Sequence, residues 1–167
     1  MQEGAFKNLV AGAIIGTASA LGSPEAQAKE PVSAVSQRQD INIDTIATIE
    51  SNNNPKAVNR RTGARGLCQL MKPTWDEMAK ELNVANDWDL AFNGAKNKTV
   101  AEYYINVKIP KMLKHFKIPD SVQARLAAYN WGIGNVNASY KKNGNSWIDH
   151  LPKETSDYIK KYADLSR

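Results

Sequence analysis

The chain has one cysteine, two histidines and no apolar run long enough to cross a bilayer, and each shortage removes a class of function. A single cysteine, Cys68, excludes an intramolecular disulfide and any multi-cysteine zinc site. Its setting, Gly66-Leu67-Cys68-Gln69-Leu70-Met71, is apolar, and His115 and His150 lie far along the chain. Cys68 therefore reads as a small core hydrophobe, with a catalytic nucleophile as the alternative. The apolar stretch from Leu9 to Leu21 is shorter than the roughly 20 predominantly apolar residues of a membrane-spanning helix. Internal repeats and alternating strand patterns are also missing, which leaves helical periodicity as the organising signal.

At 167 residues the chain is sized for one modest domain plus a leader. Lys7, the apolar run and the small-x-small site Ala26-Gln27-Ala28 stand in the order of a secretory signal peptide, with cleavage expected after Ala28. The expected segments are a signal peptide over 1–28, a polar linker over 29–39 and a single domain over 40–167, with no stable membrane span after processing. Export implies the periplasm or cell envelope, or association with a virion. Net charge is +5 overall and +6 without residues 1–28, from 21 basic and 15 acidic residues. Such a surface suits nucleic acid, anionic membrane or cell wall alike, and is also ordinary for a small domain.

Apolar residues recur at helical spacing through most of residues 40–167. Ile43, Ile46, Ala47 and position 50 share one helix face, and position 50 is a glutamate. Pro73 opens a second helix with Trp75, Met78, Ala79 and Leu82 on its inner face. A third is expected from near Thr99 through Val107 until Pro110 kinks or ends it, and another over Val122, Leu126 and Tyr129 that stops at Gly132 and Gly134. A last helix after Pro152 places Tyr158, Ile159, Tyr162 and Ala163 inward. Residues Ser51 to Leu67, rich in Asn, Arg and Gly, read as an extended loop or short hairpin beside a cleft. The expected fold class is mostly α.

Glu50 is the candidate catalytic group. A carboxyl on the apolar flank of a helix loses hydration, which raises its pKa and equips it to donate a proton near neutrality. Position alone favours a solvated surface glutamate, the usual state of Glu. Asp44 points away, and Glu77 and Glu81 fall on an outward face, so no second carboxylate stands at a matched position for a two-carboxylate glycosidase. Trp75 fits the core stripe, whereas Trp131 is a candidate sugar-stacking surface.

Three segments carry a specific resemblance. Glu50-Ser51, Pro55-Lys56-Ala57, Gly63-Ala64-Arg65-Gly66-Leu67-Cys68-Gln69-Leu70-Met71 and Pro73-Thr74 resemble the catalytic segment of the soluble lytic transglycosylases. Ala127-Ala128-Tyr129-Asn130-Trp131-Gly132 resembles their second motif, and Leu151-Pro152-Lys153-Glu154-Thr155 through Ile159 their third. The three stand in the family's order across roughly residues 41 to 162. The resemblance implies a lysozyme-like (goose-type) single α domain with a catalytic cleft, no metal and no cofactor, acting as a monomer on peptidoglycan glycan strands.

It further implies that Glu50 is both acid and base, that Ser51 supports it, and that Gln69 lies in the cleft floor. By the same resemblance Tyr129 and Asn130 orient the catalytic group and the sugar, and Tyr158 closes the site. Periodicity alone reads Tyr129 and Tyr158 equally well as core aromatics. Asn59 stands where the family commonly has Ser, keeping a polar contact to substrate, and Cys68 where it more often has Met.

The implied reaction joins the muramyl 6-hydroxyl to the anomeric carbon, giving a 1,6-anhydro end, and so needs no second carboxylate. A water-using lysozyme and a non-catalytic wall-binding module remain as other readings, the latter within a secretion, conjugation or phage-entry apparatus. A nucleic-acid binder rests only on the basic balance and Arg60-Arg61 and is not expected.

Overall fold

The computed structural model describes residues 39–167, all within one compact unit. The signal-peptide expectation, and the linker apart from Gln39, lie outside the described residues. Seven α-helices make up the frame: α1 Ile43–Ser51, α2 Lys72–Glu81, α3 Gly94–Tyr103, α4 Ile109–His115, α5 Val122–Ala127, α6 Ile133–Asn143 and α7 Lys153–Leu165. Short 3-10 helices fill Trp88–Phe92 and Gly144–His150. Among the described residues no helix is long and apolar enough to cross a membrane.

Helix α1 starts where Asn42 Oδ1 accepts from the backbone N–H groups of Asp44 (2.8 Å) and Thr45 (3.1 Å), satisfying two of the donors a helix leaves open at its start. It stops where Asn52 turns left-handed at φ 53°, a conformation Asn tolerates. Ile46 and Ala47 are buried, so the helix presses one face into the core and leaves Glu50 in its last turn at the edge. Two polar residues fix its entry. Asn106 brackets Ile41, accepting from its N–H at 2.8 Å and donating to its C=O at 2.9 Å, and the Tyr162 hydroxyl of α7 accepts from Asn42 N–H at 2.8 Å.

The core is apolar and continuous, with Ile46, Trp75, Met78, Val100, Ile105, Leu113 and Leu126 fully buried. Each such side chain stabilises the fold by about 1.5–3 kcal/mol relative to exposure. Trp75 meets Trp88 edge to face at 6.0 Å, the arrangement aromatic quadrupoles favour, and is a core residue as its stripe predicted. Arg125, 2 % exposed, is neutralised by a two-point grip on Asp120 (2.6 and 2.8 Å) and donates to the Gln39 carbonyl at 3.1 Å, so Gln39 joins the domain and not the expected linker.

Three helix expectations need correction. The third helix begins at Gly94, not near Thr99, and of the two outcomes expected at Pro110 the helical run is interrupted and not ended: a π-turn over Tyr104–Lys108 precedes it, and α4 continues through Pro110. The helix after Val122 stops at Gly132 alone (φ 91°), through a second π-turn over Ala128–Gly132, while Gly134 sits inside α6. In α7 the buried residues are Thr155, Tyr158 and Tyr162; Ala163 is exposed, because the inward face runs through Thr155, bonded to Asn130, and Tyr162, bonded to Asn42, and leaves position 163 outside.

Candidate active site

Glu50 owes its environment to the last turn of α1, the loop after it and α7. Ser51 Oγ donates to the Leu67 carbonyl (2.8 Å) and to Ala47 O (3.2 Å), and accepts from Asn54 N–H (3.1 Å). It thereby ties the end of the glutamate helix to the loop that returns beneath it. The loop is a distorted hairpin held by isolated bridges, Val58 with Arg65 and Arg65 with Leu70. Asn59 is exposed and builds its tip: Oδ1 accepts from Arg61 N–H (3.0 Å) and Thr62 N–H (3.1 Å).

The returning strand is clamped by Asn97, fully buried on α3. Its Oδ1 accepts from Cys68 N–H (2.8 Å), and its Nδ2 donates to Ala91 O (2.9 Å) and Arg65 O (3.2 Å). Gly66, at φ 80°, passes so close that an added Cβ would stand 2.1 Å from Ala91 O. Arg65 is held outside between the rings of Trp88 (5.0 Å) and Phe92 (4.9 Å) and pairs with Asp89 at 2.8 Å. Gln69 then adopts φ 48°, a conformation uncommon in non-glycine residues, stabilised by its Nε2 donating to Gly66 O (3.0 Å) and Ala57 O (3.3 Å).

Across from this loop the two π-turns bring Tyr104 and Tyr129 together, ring centroids 5.8 Å apart. The Tyr129 hydroxyl donates to Cys68 O at 2.7 Å, and Asn130 Oδ1 accepts from the Thr155 hydroxyl at 2.8 Å. A cavity of about 260 Å³ opens among Gln69, Met71, Tyr104, Tyr129, Asn130 and Trp131. Gln69, Tyr129 and Asn130 line it together. Ser51 and Asn59 are not in its lining, and their visible bonds shape the loop.

The Tyr158 hydroxyl donates to Glu50 Oε1 at 2.9 Å, joining residues far apart in the chain. Burial raises the Glu50 pKa from 4.5 to about 7, against the opposing pull of the Tyr158 hydrogen bond and the Lys161 charge; Glu154 adds a small upward push. Glu50 is thus poised to hold and release a proton near neutrality. Its charge is close enough to help raise the Tyr129 phenol and the Cys68 thiol, though burial is the main cause for both. The Cys68 thiol, pushed up to about 12 and fully buried, stays neutral, which settles it as a core residue and not a nucleophile. Among the described residues no cluster of three His, Cys, Asp or Glu side chains is placed to hold a metal.

Tyr158→Phe removes the hydrogen bond that favours the carboxylate. Its expected result is an alkaline limb of the kcat/KM–pH profile displaced to higher pH, read from rates between pH 5 and 9 (a window of roughly two units around the Glu50 value). A purely core role for Tyr158 leaves the limb in place.

Sequence reasoning missed Asn97, Tyr104 and Thr155. Tyr104 was assigned to a helix face; only the π-turn explains its arrival at the cleft, and π-turns recur at functional sites. Asn97 carried no signal, since it precedes the expected helix start near Thr99. Larger cavities occur elsewhere, one of about 520 Å³ beside Lys111, Lys114 and Lys117; Glu50 and Tyr158 do not line the smaller one, but the Glu50 charge reaches Tyr129 in its wall.

The family model described as the transglycosylase SLT domain matches residues 34–151, a span that includes Glu50, Gln69, Tyr129 and Asn130 and stops short of Tyr158. No curated protein and no solved structure matches the chain. With that match over most of its length, on a mostly α frame, the chain belongs to the transglycosylase SLT domain family, whose lysozyme-like members are lytic transglycosylases of peptidoglycan.

Proposed function

We propose that Glu50 cleaves the β-1,4 bond between N-acetylmuramic acid and N-acetylglucosamine, acting first as acid and then as base. The observation that carries the reading is a partly buried carboxyl with a pKa of about 7, aligned by the Tyr158 hydroxyl. Its proton goes to the glycosidic oxygen, and the bond from that oxygen to the anomeric carbon breaks. The substrate's N-acetyl oxygen shares the positive charge left on the carbon. The Glu50 carboxylate then takes the proton of the muramyl 6-hydroxyl, whose oxygen bonds to the anomeric carbon and closes the 1,6-anhydro ring. Atoms balance without water, and Glu50 ends protonated as it began.

Tyr129 and Asn130 serve this chemistry by holding the cleft wall: the first through Cys68 O, the second through Thr155 on the same helix as Tyr158. Asn130 Nδ2 is left to meet a sugar hydroxyl or acetamido oxygen. Activity needs the protonated acid, so the rate falls as pH rises through about 7. The sequence order of residues 1–28 supports delivery to the periplasm or envelope, where this substrate lies.

Digestion of purified peptidoglycan in ¹⁸O-water tests the reaction type. The expected muropeptides are one water lighter than their reducing counterparts and carry no ¹⁸O; labelled reducing ends would make the enzyme a hydrolase. Glu154 is the carboxylate a hydrolase would recruit, since it is the one whose charge raises Glu50. Glu154→Gln is expected to leave rate and product unchanged to within about twofold, as for an exposed side chain outside the chemistry.

A further inference from the structure

Trp131 lines two cavities. On one side is the cleft wall shared with Tyr129 and Asn130; on the other a space of about 510 Å³ opens between α6 and the turn Gly144–His150, bounded by Asn135, Ser139, Lys142, Asn143 and His150. We infer that this second space binds the carboxylate-bearing stem peptide of the strand being cleaved, so that the enzyme reads the peptide beside the bond it cuts. The inference rests on the glycan-cleavage reading above.

The lining has the chemistry for such a ligand. One aromatic wall and the Ala138 methyl offer apolar contact, and amides and a hydroxyl offer hydrogen bonds. Asn135 and Asn143 are already oriented by their own Nδ2 groups, one donating to Trp131 O (2.6 Å) and the other to Ser139 Oγ (3.2 Å). Each keeps an Oδ1 with no protein partner among the described residues, suited to accept from a peptide N–H. Lys142 is exposed, makes no ion pair among the described residues, and no carboxylate lines the space to neutralise it.

Charge decides which part of peptidoglycan belongs there. The glycan backbone of N-acetylated sugars is uncharged, whereas the peptides hanging from its muramyl lactyl groups end in carboxylates. A cation placed one tryptophan away from the cleft therefore matches the peptide and not the sugar chain. The attachment point also fits: Trp131 immediately follows Asn130, which is placed to meet the sugar itself.

The test uses the full chain carrying Glu50→Gln, so that strands are bound and not cut. Binding is measured to soluble glycan strands with their stem peptides and to the same strands stripped by an amidase and then amidated at the lactyl carboxylates this exposes. Adding Lys142→Glu is expected to weaken binding of peptide-bearing strands about fivefold to tenfold and leave stripped strands unaffected, with Lys142→Arg restoring the difference. Equal binding of both strands by the Lys142→Glu and parent chains, or an equal loss on both, overturns the inference while leaving the Glu50 reading intact. Failure of the parent to bind either strand overturns the glycan reading, and this site with it.

Discussion

Glu50→Gln is expected to lower kcat by about a thousandfold or more while making the protein more stable above neutral pH. The amide keeps an oxygen to accept from Tyr158 but has no acidic proton to give and cannot recover one, so both halves of the reaction lose their proton carrier. The stability gain follows from the same burial. With a folded pKa of about 7 against 4.5 unfolded, the folded state holds the Glu50 proton more tightly. Wild-type stability therefore declines as pH rises from 4.5 to 7, and above 7 the buried charge costs on the order of 3 kcal/mol. Gln removes that titration. Urea denaturation at pH 8 should show the variant more stable by up to that amount, with the difference gone near pH 4; equal stability at both pH values would mean that Glu50 is solvated.

The larger structural loss is expected from Gly66→Ala. At φ 80° an alanine is strained before any neighbour is considered, and its Cβ would stand 2.1 Å from Ala91 O and 2.4 Å from Asn97 Nδ2. Those two atoms are hydrogen-bonded to each other, and Asn97 also holds Arg65 O and Cys68 N–H. The methyl group therefore drives apart the clamp beneath the cleft. Strain and overlap together should remove about 3–5 kcal/mol, a fall in Tm of roughly 10 °C or more. Gly63→Ala is the control: its φ is similar, 75°, but its Cβ meets nothing within 4 Å, and about 1 kcal/mol is expected. Equal melting shifts for the two would refute the clamp.

Helix α1 and the Trp75 stripe were legible because burial there follows an apolar period that sequence displays, and the cleft loop because its Asn, Arg and Gly content breaks that period. The helix breaks were less so. Proline and glycine mark where an α-helix is strained, but not that a π-turn will absorb the strain, and so neither the π-turns nor the continuation through Gly134 was foreseen. The site residues divide the same way. Gln69, Tyr129 and Asn130 came from family resemblance and converge in space, whereas the exposed Asn59 and the loop-tying Ser51 have visible roles in the loop itself. Asn97 is a polar residue buried for bonds to chain far away in sequence, and Thr155 for one bond to Asn130; periodicity counts both as surface. Glu50 stands between these cases. Its face could be read, but the bond that orients it depends on α7 arriving with Tyr158.

The most direct measurement is a ¹³C NMR titration of the Glu50 carboxyl in the folded chain, assigned by comparison with Glu50→Gln. A midpoint near 7 is predicted, because burial outweighs the Tyr158 hydrogen bond and the Lys161 charge. A midpoint near 4.5 would contradict the account, leaving an ionised surface carboxylate with no proton to give the glycosidic oxygen at neutral pH.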